Sequence, residues 1–227
     1  MHMSDFERLA ETAGIALPAE LQRLLAEGRT RYGNSREDWS KGWREYTLSA
    51  QPALSCSYDF EWIDGQQAGE VIEEWLNPAY QDGRRFLPFA QSGAGDAYCL
   101  TPLQDGQVGV ALVWHDRESS EVENLSFAGF AYRLLVESAQ DIEHLLDDDW
   151  AFDDARHCVI ANLQLMENCL PEPFKAGLKQ LVAQVQQAHA NPHALITAEQ
   201  ARVALAVVPE PVAERFSVTA RWECGQG

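Results

Sequence analysis

Two short apolar runs joined by a turn pair constrain this chain more than any other feature. Ala97–Leu100 and Val108–Trp114 each have strand length, and Asp105-Gly106 between them is a hairpin turn signature. Val108–Trp114 is apolar almost throughout, which suits a strand in the middle of a sheet with both faces covered. Upstream, Arg85–Phe89 leads into Ser92-Gly93-Ala94-Gly95-Asp96, where the glycines supply the backbone freedom of a tight turn. Phe60 and Trp62 alternate with Glu61 and Ile63 as a further strand, closed by Asp64-Gly65, and Val122–Leu125 reads as another short one. Such a sheet needs helices to cover it.

Helical periodicity flanks this β region on both sides. Ser4 with Glu7 forms a capping box ahead of Phe6, Leu9, Ala10 and Ala13, and Pro18 opens a second helix carrying Leu21, Leu24 and Leu25. Residues 29–66 read as a loop plus the first strand. Ala68–Leu76 is a short helix with Val71, Ile72 and Trp75 on one face and Glu70, Glu73 and Glu74 on the other, and Phe127–Glu137 is another with Phe127, Phe130, Leu134 and Leu135 inward. From about residue 139 the pattern is helical. Stripes run through Ile142–Leu146, through Phe152–Cys169 and through Phe174–Val185, and Thr197 with Gln200 caps a last helix. Phe216–Trp222 then alternates as a strand that needs a sheet edge to pair with.

Charge is the strongest functional constraint. With 17 Lys+Arg against 35 Asp+Glu, the formal net charge is −18. So acidic a surface repels nucleic-acid phosphates and anionic lipid and attracts basic partners. The one basic stretch, Arg29, Arg31, Arg36, Lys41 and Arg44 among Trp39, Trp43 and Tyr46, also holds Glu37, Asp38 and Glu45, which argues against nucleic-acid contact. The acids cluster. Glu45–Gly83 contains eight acids and no Lys or Arg, and Leu134–Ala155 likewise contains eight and none. A patch of one sign speeds capture of an oppositely charged protein. Asp59, Glu61, Asp64, Glu70, Glu73 and Glu74 in the first span, and Asp147, Asp148 and Asp149 in the second, are the candidate partner-binding residues. Trp62 joins them as a possible anchor, because tryptophan is common at interface hot spots; core packing is the competing reading for Trp62 and for Trp75.

Catalytic and metal constellations fare worse. His115-Asp116 could be half of a two-histidine metal site, but the pair ends a strand and its helical partners are missing. His144, Asp147–Asp149, Asp153, Asp154 and His157 could supply ligands to a hard cation, yet they lack the spacing of a calcium loop or of a zinc helix. Ser92–Gly95 has no following Lys-Ser/Thr, so it reads as a turn and not a phosphate loop. The five cysteines include no CxxC pair and fit free thiols of a reducing cytoplasm; Cys158, beside His157, falls on an apolar helix face. No stretch of about 18 apolar residues is present, and Met1–Arg8 has no secretory pattern, so a cytoplasmic location is expected and no membrane partner. No cofactor is expected.

Two passages resemble a known family. One is the helix pair joined through Ile15–Leu21. The other is Leu87–Leu100 (LPFAQSGAGDAYCL), followed by Val110–Glu118 (VALVWHDRE) and by Ser126-Phe127 opening a helix. Their order is similar to that of the SUKH superfamily over residues 4–140, with two departures: His115 and Asp116 stand in exchanged order, and Ala94 separates the glycines. The resemblance implies an α+β domain, a mostly antiparallel sheet flanked by helices, at residues 1–140, with no catalytic residues. Residues 141–227 are expected to be a mainly helical C-terminal extension packed on that domain. Many bacterial members of the family are immunity proteins that neutralise a toxin, often a nuclease or deaminase, and eukaryotic relatives act as binding hubs. The expected function is therefore non-catalytic: an immunity protein that captures a basic cognate toxin through acidic patches. A general interaction or scaffold protein is the alternative, and a metal-dependent enzyme using His144 and His157 a more distant one.

Overall fold

The computed structural model describes residues 5–147, 150–188, 193–210 and 214–225. In chain order, its first half has helices α1 (Asp5–Ala13), α2 (Ala19–Ala26) and α3 (Arg36–Leu48), strand β1 (Glu61–Trp62), and helix α4 (Gly65–Val71), which continues as a π-helical turn (Ile72–Leu76). Strands β2 (Leu87–Gln91), β3 (Ala97–Pro102), β4 (Val108–Val113) and β5 (Ser119–Asn124) follow. Then come helices α5 (Phe127–Gln140), α6 (Glu143–Asp147), α7 (Phe152–Glu167), α8 (Phe174–Gln186) and α9 (Ala198–Leu205), strand β6 (Arg215–Ser217) and a 3-10 turn (Arg221–Glu223). The fold class is α+β, as the sequence indicates.

The described residues divide into two compact units. One draws on Met1–Gln22, Asp59–Phe130 and Glu210–Gly227, the other on Arg23–Tyr58 and Ala131–Pro209. The first unit holds a six-stranded sheet in the order β1-β2-β3-β4-β5-β6, with every neighbouring pair antiparallel. A final strand does pair at a sheet edge, Ser119 opposite Ser217 and Glu121 opposite Arg215, but it spans Arg215–Ser217 and not Phe216–Trp222: Arg221–Glu223 form a 3-10 turn. Pro88 cannot donate to a ladder, and the β2–β3 register shifts between Pro88 and Ala90, so the proline sits at an irregularity that tolerates it. Residues 97–101 of β3 and 109–113 of β4 are buried without alternation, so both faces of the sheet are covered.

Two apolar layers provide that cover. On one face, Phe60, Trp62, Phe89, Tyr98, Phe127 and Phe130 form an aromatic cluster with ring centroids 5.1–6.4 Å apart, the range of edge-to-face and tilted pairs. On the other, Trp75, Leu76, Phe86, Ala97, Cys99, Ala111, Val113 and Val218 pack together. Helix α4 lies close to α1: a Cβ on Gly65 would stand 2.7 Å from the Phe6 nitrogen, so only glycine permits this approach. Asp64 is not a strand-closing turn residue but the N-cap of α4, in a reciprocal capping box with Gln67.

The second unit corrects one expectation. Residues 36–48, read from the sequence as part of a loop, are helix α3. Trp39, Trp43 and Tyr46 stand at i, i+4 and i+7, a helical period that the interleaved charges conceal. Ser35 caps the helix by accepting from the Asp38 nitrogen, and Tyr46 donates to Asp38 Oδ2 at 2.6 Å. That hydrogen bond holds the Asp38 carboxyl below its ordinary range and pushes the Tyr46 phenol up. Elsewhere in this unit the expected helices form. Val159, Leu163 and Met166 of α7 and Leu178, Leu181 and Val185 of α8 are buried, and the Thr197–Gln200 capping box starts α9. The Ser4–Glu7 box involves Ser4, which lies outside the described residues.

Phe89→Ala removes a ring that touches four aromatic neighbours. It is expected to cost about 3–5 kcal/mol of stability, read as a lower urea midpoint with an unchanged denaturant slope.

Candidate functional site

The glycine turn and the end of β4, separate motifs in the sequence, meet in the first unit. Gly95 has φ +95°, a conformation that favours glycine, and its nitrogen donates to the Ser92 carbonyl at 3.0 Å. Ser92 Oγ accepts from the Asp96 nitrogen and donates to Asp96 Oδ2, both at 3.1 Å. The other oxygen, Asp96 Oδ1, accepts from the His115 nitrogen at 3.1 Å and from His115 Nδ1 at 2.7 Å. Nδ1 is the donor, because a carboxylate oxygen accepts. Asp96 is 3% exposed, so the carboxylate depends on these partners for its stabilisation. The clasp extends outward: the Gly93 nitrogen donates to Asp59 Oδ1 at 2.6 Å, and the His115 carbonyl accepts from the Arg221 nitrogen at 2.9 Å.

Among the described residues, Asp96, His115 and Asp116 are the group whose ligand atoms converge, all within 4.8 Å of one another. The sequence names His115-Asp116 but not its link to Asp96, because a hydrogen bond across 19 positions has no local pattern. Both Asp96 oxygens serve the clasp, so its immediate chemistry is to tie the β2–β3 turn to the end of β4. Among the described residues, His144 and His157 do not join such a group. His144 Nε2 lies 3.1 Å from the Cys56 carbonyl and its ring stands edge-on to Tyr58, Asp153 pairs with Arg156, and His157 is exposed.

The three fully buried thiols, Cys56, Cys99 and Cys158, are not poised as nucleophiles. Burial pushes Cys56 up to about 12 and pushes Cys99 and Cys158 well above the ordinary range. Cys158 is fully buried on α7, the packing role its place on an apolar helix face suggests.

The acidic candidates fall in different places. Asp59, Glu61, Asp64, Glu70, Glu73 and Glu74 are all exposed and all belong to the first unit. Several have structural duties as well: Asp59 holds the glycine turn, Asp64 caps α4, and Glu70 accepts from Gln66 at 2.9 Å. Glu74 accepts from Arg221 Nε and Nη2 at 2.8 and 2.7 Å, so a span without bases in sequence acquires one in space. Nothing local forecasts that pair, which joins residues 147 positions apart. Trp62 is 4% exposed within the aromatic layer and presents no anchor to a partner; the core reading describes it. Asp147 is exposed at the end of α6 in the second unit, and Asp148 and Asp149 lie outside the described residues. No helix among the described residues is long and apolar enough to cross a membrane.

Comparison with known proteins gives one finding. The family model described as SMI1 / KNR4 family (SUKH-1) matches residues 3–133, more than half of the chain. Nothing matches among curated proteins or among solved structures.

Two outcomes test the clasp and the thiols. Asp96→Ala strands the Ser92 hydroxyl and the His115 ring and is expected to lower stability by about 1–3 kcal/mol in chemical denaturation. At pH 8 a thiol near 12 is ionised to roughly one part in ten thousand; Cys56, Cys99 and Cys158 are therefore expected to resist Ellman's reagent in the native protein and to react on unfolding.

Proposed function

The chain belongs to the SMI1/KNR4 family of the SUKH superfamily, and from that membership together with its charge we propose that it is a binding protein that neutralises a basic toxin. The family suggests immunity-protein or related roles and is generally non-catalytic. The observation that carries the reading is the set of exposed carboxylates among the family-matched residues, Asp59, Glu61, Asp64, Glu70 and Glu73, on a chain of net charge −18. A toxin that acts on nucleic acid, such as a nuclease or a nucleobase deaminase, carries a positive cleft for phosphates. An acidic inhibitor accelerates its own capture by that cleft and blocks it. Such a toxin works where nucleic acid is, so the site of neutralisation is the cytoplasm.

Glu70 and Glu73 are separated by one helical turn and share a face of the α4 segment, so they are the carboxylates to reverse. Glu74 is left in place because its bond to Arg221 is part of the fold. When the chain is expressed together with the product of its adjacent gene, the wild type is expected to restore growth. Glu70→Lys with Glu73→Lys is expected to slow association about tenfold at low salt, measured by stopped flow, with the gap closing as salt rises. Association rates unchanged by the reversal would remove this face from the reading.

A further inference from the structure

Ion pairs tie residues 214–223 to the rest of the first unit. Glu214 pairs with Arg84 at 2.8 Å, Arg215 with Glu121 at 3.2 Å and Arg221 with Glu74 at 2.7 Å. The first unit carries six arginines and no lysine, and three of the six serve these contacts. Apolar burial in the segment is slight by comparison. Val218 and Ala220 are its buried residues, and β6 sets exposed Arg215 and Ser217 on either side of a half-buried Phe216. Residues 97–101 of β3 and 109–113 of β4, by contrast, are buried throughout. Stability within one fold follows such differences, and an element with few buried apolar groups opens ahead of the rest.

None of the bonds that hold the segment is strong alone. The side chains of the Arg215–Glu121 and Arg221–Glu74 pairs are 43–78% exposed, and exposed pairs contribute little and are screened by salt. Arg84 and Glu214 are more sheltered, but Arg84 Nε is buried with no hydrogen-bond partner, which offsets the gain of that pair. Along the seam, the Val218 nitrogen donates to the Glu118 carbonyl, the Thr219 nitrogen to Gln81 Oε1 and the Arg221 nitrogen to the His115 carbonyl, each at 2.9 Å. Each of these bonds exchanges for one to water when the segment lifts, so its net contribution is modest.

We infer that residues 214–223 form a strap that opens as one unit while β1–β5 stay paired, and that the three ion pairs hold it closed. Opening lifts Val218 out of the layer around Trp75 and frees the edge of β5, whose backbone groups can then pair with another strand. No partner is needed for the opening itself. The salt dependence of the strap is opposite in sign to that of the sheet. Salt screens the ion pairs and favours opening, whereas the same salt relaxes the self-repulsion of a chain of net charge −18 and steadies the sheet.

Hydrogen exchange of the full chain, read amide by amide by NMR and corrected for intrinsic rates, tests this at about 20 mM and about 0.5 M salt. The amides of Val218, Thr219 and Arg221 are expected to exchange at least about tenfold faster than those of β3 and β4 at low salt. Raising the salt is expected to speed the strap amides about tenfold further and to leave those of β3 and β4 unchanged or slower. Arg221→Gln should speed the strap several-fold at low salt and shrink its response to salt, while unchanged exchange in β3 and β4 reports an intact sheet. Arg202→Gln, which breaks an exposed pair with Glu199 in the second unit, should leave the strap as it is. Strap amides that exchange in step with β3 and β4 would overturn the opening as a separate unit. Strap amides that slow or do not respond as salt rises would overturn the ion pairs as its latch.

Discussion

The central strands carry buried side chains to both faces of the sheet, Tyr98 and Leu100 to one and Ala97 and Cys99 to the other, and the rest of the first unit answers to that demand. Apolar surface left in water costs about 25 cal/mol per Å2, so each face requires a cover. The aromatic layer meets it on one side with rings from β1, β2 and the first turn of α5. On the other, Trp75 and Leu76 of the π-helical turn work together with Val218, which comes from beyond the residues the family model matches. The last strand and the turn after it therefore belong to the same folded unit as strands β1–β5.

Polar contacts then fix the geometry that burial leaves free. Asp96 joins the glycine turn to the end of β4, and the Glu74–Arg221 pair joins the π-helical turn to the C-terminal segment. The two differ in weight. The Asp96 carboxylate is buried, so removing it strands its partners. Glu74 and Arg221 are exposed, and their bidentate bond contributes order more than stability. A binding surface benefits from such order, because groups already in place lose less entropy on association.

Much of this was legible in the residues. The hairpin turn at Asp105-Gly106, the apolar strand read at Val108–Trp114 and the capping box at Thr197–Gln200 are local patterns, and each formed, the strand over Val108–Val113. Helix α3 was not legible, because only Thr47 of it is buried and its aromatic stripe alternates with charge. The site was half visible. Gly93, Gly95, Asp96 and His115 could be named one by one, but the bonds between them span sequence distances that periodicity does not report. The acidic span was visible as composition. That Arg221 closes on it, and that Trp222 rather than Trp62 faces water, depends on tertiary packing.

The central claim is that an acidic surface on this fold captures a basic toxin. Calorimetric titration of the unmodified protein with the inactivated product of its adjacent gene, at low and at high salt, tests it most directly. Tight binding with one-to-one stoichiometry, weakened by salt, is the predicted result. Absence of binding at both salt concentrations would contradict it and shift the reading to a scaffold whose partner lies elsewhere.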